Sequence, residues 1–198
     1  FYKMRVHPSW VGLTSDGSML LAVLSGFLFA LLLLAIGPWM RGRGSRWAAL
    51  LPLGLFAYLC SSFGDLAAGD AWMESYAWAP SLGVVLSFRL DGLSLLFGLL
   101  ITGIGTLVFW YTSAYLRGDP LLDRFYGYLA MFMAAMLGLV FSDNVISLFV
   151  FWELTSITSY FLIGYKHYDP ASRRSALLAL GITGLGGMLL LAGLLMMA

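Results

Sequence analysis

Long apolar runs separated by short charged loops constrain this chain more than any other feature. Six stretches of about 20 residues carry almost no ionisable side chains, and an α-helix needs about 20 apolar residues to cross the hydrocarbon core of a bilayer. Only 11% of the 198 residues are charged and 61% are hydrophobic, whereas a soluble domain carries about 25% charged residues. The pattern therefore predicts an all-α polytopic membrane protein, with the lipid bilayer as its main environment.

The six predicted transmembrane helices follow one another along the chain. They cover 19–40, 47 to about 63, about 93–116, about 125–141, the stretch within 143–165, and a last span that begins near 175. A long polar connection, 64–91, separates the second and third helices. Its later part, Leu82–Leu90, is rich in Val, Leu and Phe and short enough for a strand or a hairpin arm, so we expect this external loop to carry a short β-hairpin.

Three parts of the chain follow from this division. Residues 1–18 are polar and mixed in composition. Met19 is followed directly by an apolar span, as an initiator methionine would be, so we interpret 1–18 as translated upstream sequence. Residues 19–91 hold the first two helices and the external loop. Residues 92–198 hold the third to sixth helices, and because they stop within an apolar run we expect a fragment of a longer chain.

Basic residues in the short loops predict the orientation. They are concentrated in the first, third and fifth loops, whereas the second loop has Arg89 alone among several acids and the fourth has none. Lysine and arginine are retained on the cytoplasmic side. We therefore expect the odd loops to be cytoplasmic, the even loops to be external and the N-terminus to lie outside.

Glu153 is the candidate of greatest interest, because it is the only ionisable residue inside the fifth predicted span. It lies about 14 Å along the helix from Asn144, near the middle of a core about 30 Å thick. Acids at that depth face protein or water and mark ion or proton paths. Ser156 and Tyr160, three and seven residues further on, share its helix face. A carboxyl group kept neutral for packing alone is the other interpretation.

Further candidates lie at the two ends of the spans. Asp91 and Arg89 lie where the third helix begins. In one interpretation Asp91 is the N-cap of that helix and Arg89 anchors it at the level of the lipid headgroups; in the other, both belong to an ion path. Lys166 and His167 follow the fifth helix, where cations suit the helix dipole and a histidine could relay protons near neutral pH. Asp143 is expected to cap the fifth helix.

Several classes of function are excluded or unsupported. A net charge of +1 gives no electrostatic footprint for nucleic acid. The single cysteine, Cys60, cannot form an internal disulfide, and neither histidine has a second ligand at metal spacing. We therefore expect no metal, no cofactor and no bond chemistry catalysed by the chain itself.

Two groups of motifs resemble a known family. The first is Trp78-Ala-Pro-Ser-Leu-Gly83 with Ser87-Phe-Arg-Leu-Asp-Gly-Leu-Ser94, and the second is Phe125-Tyr-Gly-Tyr, Ser142-Asp-Asn, Phe151-Trp-Glu-Leu-Thr-Ser156 and Ser159-Tyr-Phe-Leu-Ile-Gly-Tyr165. They resemble the antiporter-like subunits of respiratory complex I and of multisubunit (Mrp-type) cation/proton antiporters. The motif Trp152-Glu-Leu-Thr-Ser156 is more similar to the A subunit of Mrp-type antiporters than to the complex I homologue.

The resemblance implies a transporter subunit of a bacterial inner membrane that exchanges monovalent cations, Na⁺ foremost, for protons in company with other subunits. It matches Glu153 to the family's essential glutamate on the fifth transmembrane helix. In the family this glutamate pairs with a lysine on the seventh transmembrane helix, which this chain does not include. Two alternatives stay open. The chain could belong to a proton-channel subunit of a redox-driven pump, such as an NADH-quinone oxidoreductase or membrane hydrogenase, or it could be a non-conducting membrane scaffold.

Overall fold

The computed structural model describes residues 17–37, 43–67, 71–79 and 84–197. Residues 1–16, which make up most of the predicted N-terminal segment, lie outside this part of the chain. The elements, in chain order, are α1 (Ser18–Ala35), a 3₁₀ segment (Arg43–Ala49), α2 (Leu50–Ser61), α3 (Phe63–Ala67), β1 (Trp72–Ala79), β2 (Val84–Leu90), α4 (Gly92–Tyr115), α5 (Leu122–Phe141), α6 (Val145–Ile163) and α7 (Pro170–Met197).

The prediction of an all-α polytopic membrane protein with a small hairpin is confirmed. Five helices in the described ranges, α1 and α4 to α7, are long and apolar enough to cross a membrane. The last helix begins five residues earlier than expected, because Asp169 accepts hydrogen bonds from the backbone N–H groups of Ala171 and Ser172. An aspartate at this position followed by Pro170 in the first turn is a strong start signal for a helix.

Helix α5 is the centre of the bundle, and small residues let its neighbours approach closely. On one side α1 packs antiparallel to it: a Cβ on Gly26 would lie 2.7 Å from the Cβ of Ala134. On the other side the ring of Phe151, from α6, fills the space beside Gly138. Without a hydrophobic driving force inside a bilayer, such close packing contributes much of the attraction between helices.

The predicted second span is not one regular helix, and this part of the prediction is wrong. Pro52 lacks an N–H, and its ring would clash with the carbonyl of residue 48, so an α-helix cannot run through this point from Trp47. The chain forms the 3₁₀ segment first and begins α2 only at Leu50. At about 2.0 Å and 1.5 Å per residue, the two pieces rise at most about 14 Å and 18 Å, together comparable with the hydrocarbon thickness.

This composite segment still returns the chain across the bundle. Cβ atoms placed on Gly98, Gly103 and Gly105 of α4 would meet Leu59, Phe56 and Pro52 in turn, so α2 runs antiparallel to α4. The N-terminal end of α1 lies beside β1, and its C-terminal end lies beside Asp123 at the start of α5. At β1 the chain has returned to the end of the bundle where α1 begins. The segment between α1 and β1 must therefore cross the bundle.

The hairpin that follows is formed by β1 and β2, paired antiparallel from Trp72 with Leu90 to Ala79 with Val84. The expected strand within Leu82–Leu90 is confirmed as β2, whereas the sequence did not predict the position of its partner, β1. The hairpin lies against the turn between α5 and α6, where Phe88 pairs with Ser142 and the N–H of Asp143 donates to the carbonyl of Ser87 at 3.0 Å. The predicted second and fourth loops therefore share one end of the bundle.

The third and fifth predicted loops meet at the opposite end. The hydroxyl of Tyr165, after α6, donates to the carboxylate of Asp119, between α4 and α5. The ring of Phe125 packs edge-on against Tyr165, with centroids 5.4 Å apart. The alternation of loops between the two ends agrees with the predicted topology. Which end faces the cytoplasm stays a prediction.

Candidate functional site

Glu153 lies near the middle of α6 and points toward α7. Its Oε1 atom is fully buried and has no hydrogen-bond partner among the described residues. A methyl group on Gly187 of α7 would overlap this oxygen. The carboxyl group therefore contacts the backbone of α7, which is the protein-facing one of the two orientations expected from the sequence.

A second unpartnered polar atom lies at the same place. The indole Nε1 of Trp152 is buried without a hydrogen-bond partner in the described part of the chain, and a Cβ on Gly187 would lie 3.1 Å from it. A buried donor and a buried acceptor thus converge on one point of α7. Leaving such groups unsatisfied costs about 1–3 kcal/mol each, so this is an unusual arrangement for a contact that serves packing alone.

The two hydroxyls predicted to share the acid's face have different surroundings. Ser156 is buried, and its hydroxyl donates back to the carbonyl of Trp152 at 3.2 Å. Tyr160 is half-buried, and its ring lies edge-on to Phe161 with centroids 5.4 Å apart. The donor of Ser156 is therefore committed to its own helix, which leaves the oxygen as an acceptor.

Lys166 and His167 lie on the exposed loop that follows α6. The ring of His167 contacts Tyr168 at 5.9 Å between centroids, and the Nζ of Lys166 lies 6.0 Å from the ring centre of Tyr165. The end of α6 is about 15 Å from Glu153 by helical rise. The structure therefore does not bring the side chains of Lys166 and His167 together with Glu153.

Arg89 and Asp91 form a second cluster at the hairpin end of the bundle. The guanidinium of Arg89 lies 3.4 Å from Asp91 and 4.0 Å from Asp143. A surface pocket of about 400 Å³ opens between α4 and the α5–α6 turn; it is lined by Arg89, Asp91, Leu93, Ser94, Phe97, Val140, Ser142 and Asp143. Exposed ion pairs of this kind contribute about 1 kcal/mol or less.

Asp91 is the N-cap of α4, which is one of the two roles expected for it from the sequence. Its carboxylate accepts from the backbone N–H groups of Leu93 and Ser94 at 3.1 and 3.0 Å, and the Ser94 hydroxyl accepts from the N–H of Asp91. The hydrogen bond from the Ser94 backbone is the largest cause that holds the pKa of Asp91 below its ordinary value.

The predicted cap of α6 was assigned to the wrong residue. Asn144 is the N-cap: its Oδ1 accepts from the N–H of Ser147 at 2.7 Å, and its amide donates to Val85 and to the Ser87 hydroxyl of β2. An amide can accept from the helix and donate to the strand at once, whereas a carboxylate can only accept. Asp143 instead faces Arg89.

Two family models match this chain. Residues 76–126 match the N-terminus of chain 5 of NADH-ubiquinone oxidoreductase (complex I), and residues 142–198 match the transmembrane region shared by NADH:quinone oxidoreductase and Mrp antiporters. Together the matches cover more than half of the sequence and include both Asp91 and Glu153. The chain belongs to the antiporter-like family of membrane subunits. The five long apolar helices make this member an integral membrane protein.

Relatives within this family include Mrp-type antiporter subunits. The chain is 45% identical over 174 residues to the Na⁺/H⁺ antiporter A subunit of Alkalihalophilus pseudofirmus, and 40% identical over 179 residues to the A1 subunit of Staphylococcus haemolyticus. These alignments cover 87% and 90% of this chain but 22% of each relative. The chain therefore spans about a fifth of the length of these two relatives.

Solved structures show the same fold in large assemblies. A chain of an Mrp complex from a Dietzia species is 35% identical, with a TM-score of 0.73 over 88% of this antiporter-like chain and 19% of its own. A chain of an archaeal membrane-bound sulfane sulfur reductase has a TM-score of 0.71 over 90% of this chain and 36% of its own, at 16% identity. The second likeness concerns the fold alone.

Proposed function

We propose that this chain is part of a cation/proton antiporter subunit that moves protons across the membrane in exchange for a monovalent cation, with Na⁺ the first candidate. The observation that carries the proposal is the carboxyl group of Glu153 in mid-span, with one buried oxygen that has no hydrogen-bond partner among the residues that the structure describes. The names of the relatives support the antiport reaction and the cation.

Glu153 is proposed to bind and release the proton. A lone carboxylate in a low-dielectric setting is driven toward its neutral form, whereas an ammonium within about 4–6 Å stabilises the charged form. A cationic partner that moves or changes its charge would therefore alter the proton affinity of Glu153. The unpartnered Oε1 supports this role, because an oxygen already committed to hydrogen bonds would be harder to switch.

Other residues have secondary roles in the proposal. The oxygens of Ser156 and Tyr160, on the face of Glu153, are suited to accept and pass a proton. Lys166 and His167, exposed at the end of α6, would exchange protons with water, while Arg89 and Asp91 would attract cations at the hairpin end. We assign the hairpin end to the outside, with the N-terminus, and infer that further subunits of the same complex surround this chain.

The test uses the full-length protein with its partner subunits, in everted vesicles from a bacterial strain that lacks native antiporters. A proton gradient is imposed, Na⁺ is added without an electron donor, and wild type is compared with Glu153→Gln. The control is Asp169→Asn, an acid-to-amide change at the cap of α7, where asparagine caps as well as aspartate. We expect Na⁺ to collapse the gradient in wild type and control but not in Glu153→Gln.

Two outcomes would count against the proposal. Full activity in Glu153→Gln would remove the acid from the mechanism. No response to Na⁺, with proton pumping once an electron donor is supplied, would favour the redox-driven pump, which the second family model also names.

A further inference from the structure

Gly187 differs from the other glycines of α7. Gly181, Gly184, Gly186 and Gly193 have no atom within 4 Å of the place that a Cβ would occupy, as far as the described residues extend. Gly187 is buried, and its Cβ would overlap the Glu153 carboxylate and lie 3.0 Å from the indole Cδ1 of Trp152. The carboxyl group of Glu153 thus fills the space that a side chain would take.

The effect of adding a side chain at position 187 depends on which atoms it would meet. The nearest atom to an added Cβ is the tip of a flexible side chain and not a backbone atom. Rotating the glutamate away is easier than separating two packed helices. A methyl group at position 187 would therefore move the carboxyl group, require a small shift of the Trp152 ring and leave the helices in place.

We propose that Gly187 is a positioning residue, which keeps the carboxyl group of Glu153 against the backbone of α7 and beside the N–H of Trp152. This inference rests on the proposed function. Glycine is required there because every other residue brings a Cβ into the same volume.

The experiment compares Gly187→Ala with Gly186→Ala in the full-length assembled antiporter. Both changes replace glycine by alanine in one helix and raise helix propensity equally, but only the first meets Glu153. We expect Gly187→Ala to lower the rate of Na⁺-dependent proton transport about tenfold, because the coupling energy between two contacting residues is large enough for an effect of this size. Gly186→Ala should stay within about twofold of wild type.

A spectroscopic measurement separates displacement of the carboxyl group from general damage. The infrared carboxyl bands of Glu153, identified by their loss in Glu153→Gln, should shift in Gly187→Ala and remain unchanged in Gly186→Ala. Subunit content of the membrane is measured in parallel. Should Gly187→Ala fail to accumulate, the double variant Gly187→Ala/Glu153→Asp, whose acid is one methylene shorter, is expected to accumulate again.

The inference is overturned if Gly187→Ala matches Gly186→Ala in rate and spectrum, or if neither Gly187→Ala nor the double variant accumulates. These outcomes differ from failure of the proposed function. Full activity in Glu153→Gln defeats both proposals, whereas loss in Glu153→Gln with normal Gly187→Ala defeats only the role of Gly187.

Discussion

Glu74 of β1 accepts a hydrogen bond of 3.0 Å from the backbone N–H of Met19, 55 residues earlier in the chain. Its second oxygen accepts from the N–H of Leu20 at 3.1 Å. The residue before α1, Gly17, provides no side-chain cap. A buried carboxylate from the hairpin therefore satisfies the free N–H groups at the start of the first membrane helix, where a negative charge also suits the helix dipole.

The first prediction concerns this cap. Glu74→Ala should destabilise the protein by about 2 kcal/mol, because it removes charge-assisted hydrogen bonds to one buried and one partly buried N–H group. Thermal unfolding of the full-length protein in detergent measures the change. Ser75→Ala, at the neighbouring exposed position of the strand, is the matched control, and equal melting of the two variants would contradict the capping role.

The same residue explains why part of the hairpin escaped prediction. The buried side of β1 includes Glu74, whereas Met73 and Ala77 face outward, so the strand lacks the apolar-inside alternation by which strands are recognised. The acid is buried because it caps a helix far away in sequence. A local pattern contains no information about such a partner.

The long helices and Glu153 were predictable because each depends on a local property, namely a run of apolar residues and one acid within it. The contact between Glu153 and Gly187 was not, because it depends on the register of α6 against α7. Five glycines on α7 offered equivalent positions in sequence, and only the packed structure selects one. Pro52 did signal a break, yet the split of the second span was missed because its apolar composition is continuous.

The second prediction tests close packing between α1 and α5. Gly26→Ala places a methyl group 2.7 Å from the Cβ of Ala134 and 3.4 Å from its Cα, and overpacking of this kind costs about 1–3 kcal/mol. Thermal unfolding should show the loss, and the compensating change Ala134→Gly should restore much of it. Gly64→Ala, where a Cβ has no atom of the described residues within 4 Å, is the control. An unaltered Gly26→Ala protein would argue against this packing.

The third prediction concerns the link between the two loops at the far end of the bundle. Burial, and then the hydrogen bond to Asp119, raise the pKa of Tyr165 above its ordinary value, so its hydroxyl remains a donor at neutral pH. Tyr165→Phe keeps the ring contact with Phe125 but removes this bond, worth about 1 kcal/mol. Amide hydrogen exchange in 117–121 should accelerate, whereas Tyr168→Phe, at an exposed position, should change nothing. Unchanged exchange in Tyr165→Phe would show that the loops are held together by other contacts.

The fourth prediction is a pH dependence that originates at Asp91. Hydrogen bonds from Ser94 are the main cause that lowers the pKa of this carboxyl group in the folded protein. The unfolded chain therefore binds the proton more readily, and the stability contributed by the ionised cap is fully present above the ordinary pKa of about 4. It is lost as the pH falls through the lower folded-state value.

Asp91→Asn isolates this contribution, because asparagine caps a helix about equally well and does not titrate. The difference in melting temperature between wild type and Asp91→Asn should be constant from pH 7 to about pH 5. Below about pH 4 the wild type should lose stability relative to the variant. A difference that stays constant down to pH 3 would show that the charge on Asp91 stabilises neither the start of α4 nor the ion pair with Arg89.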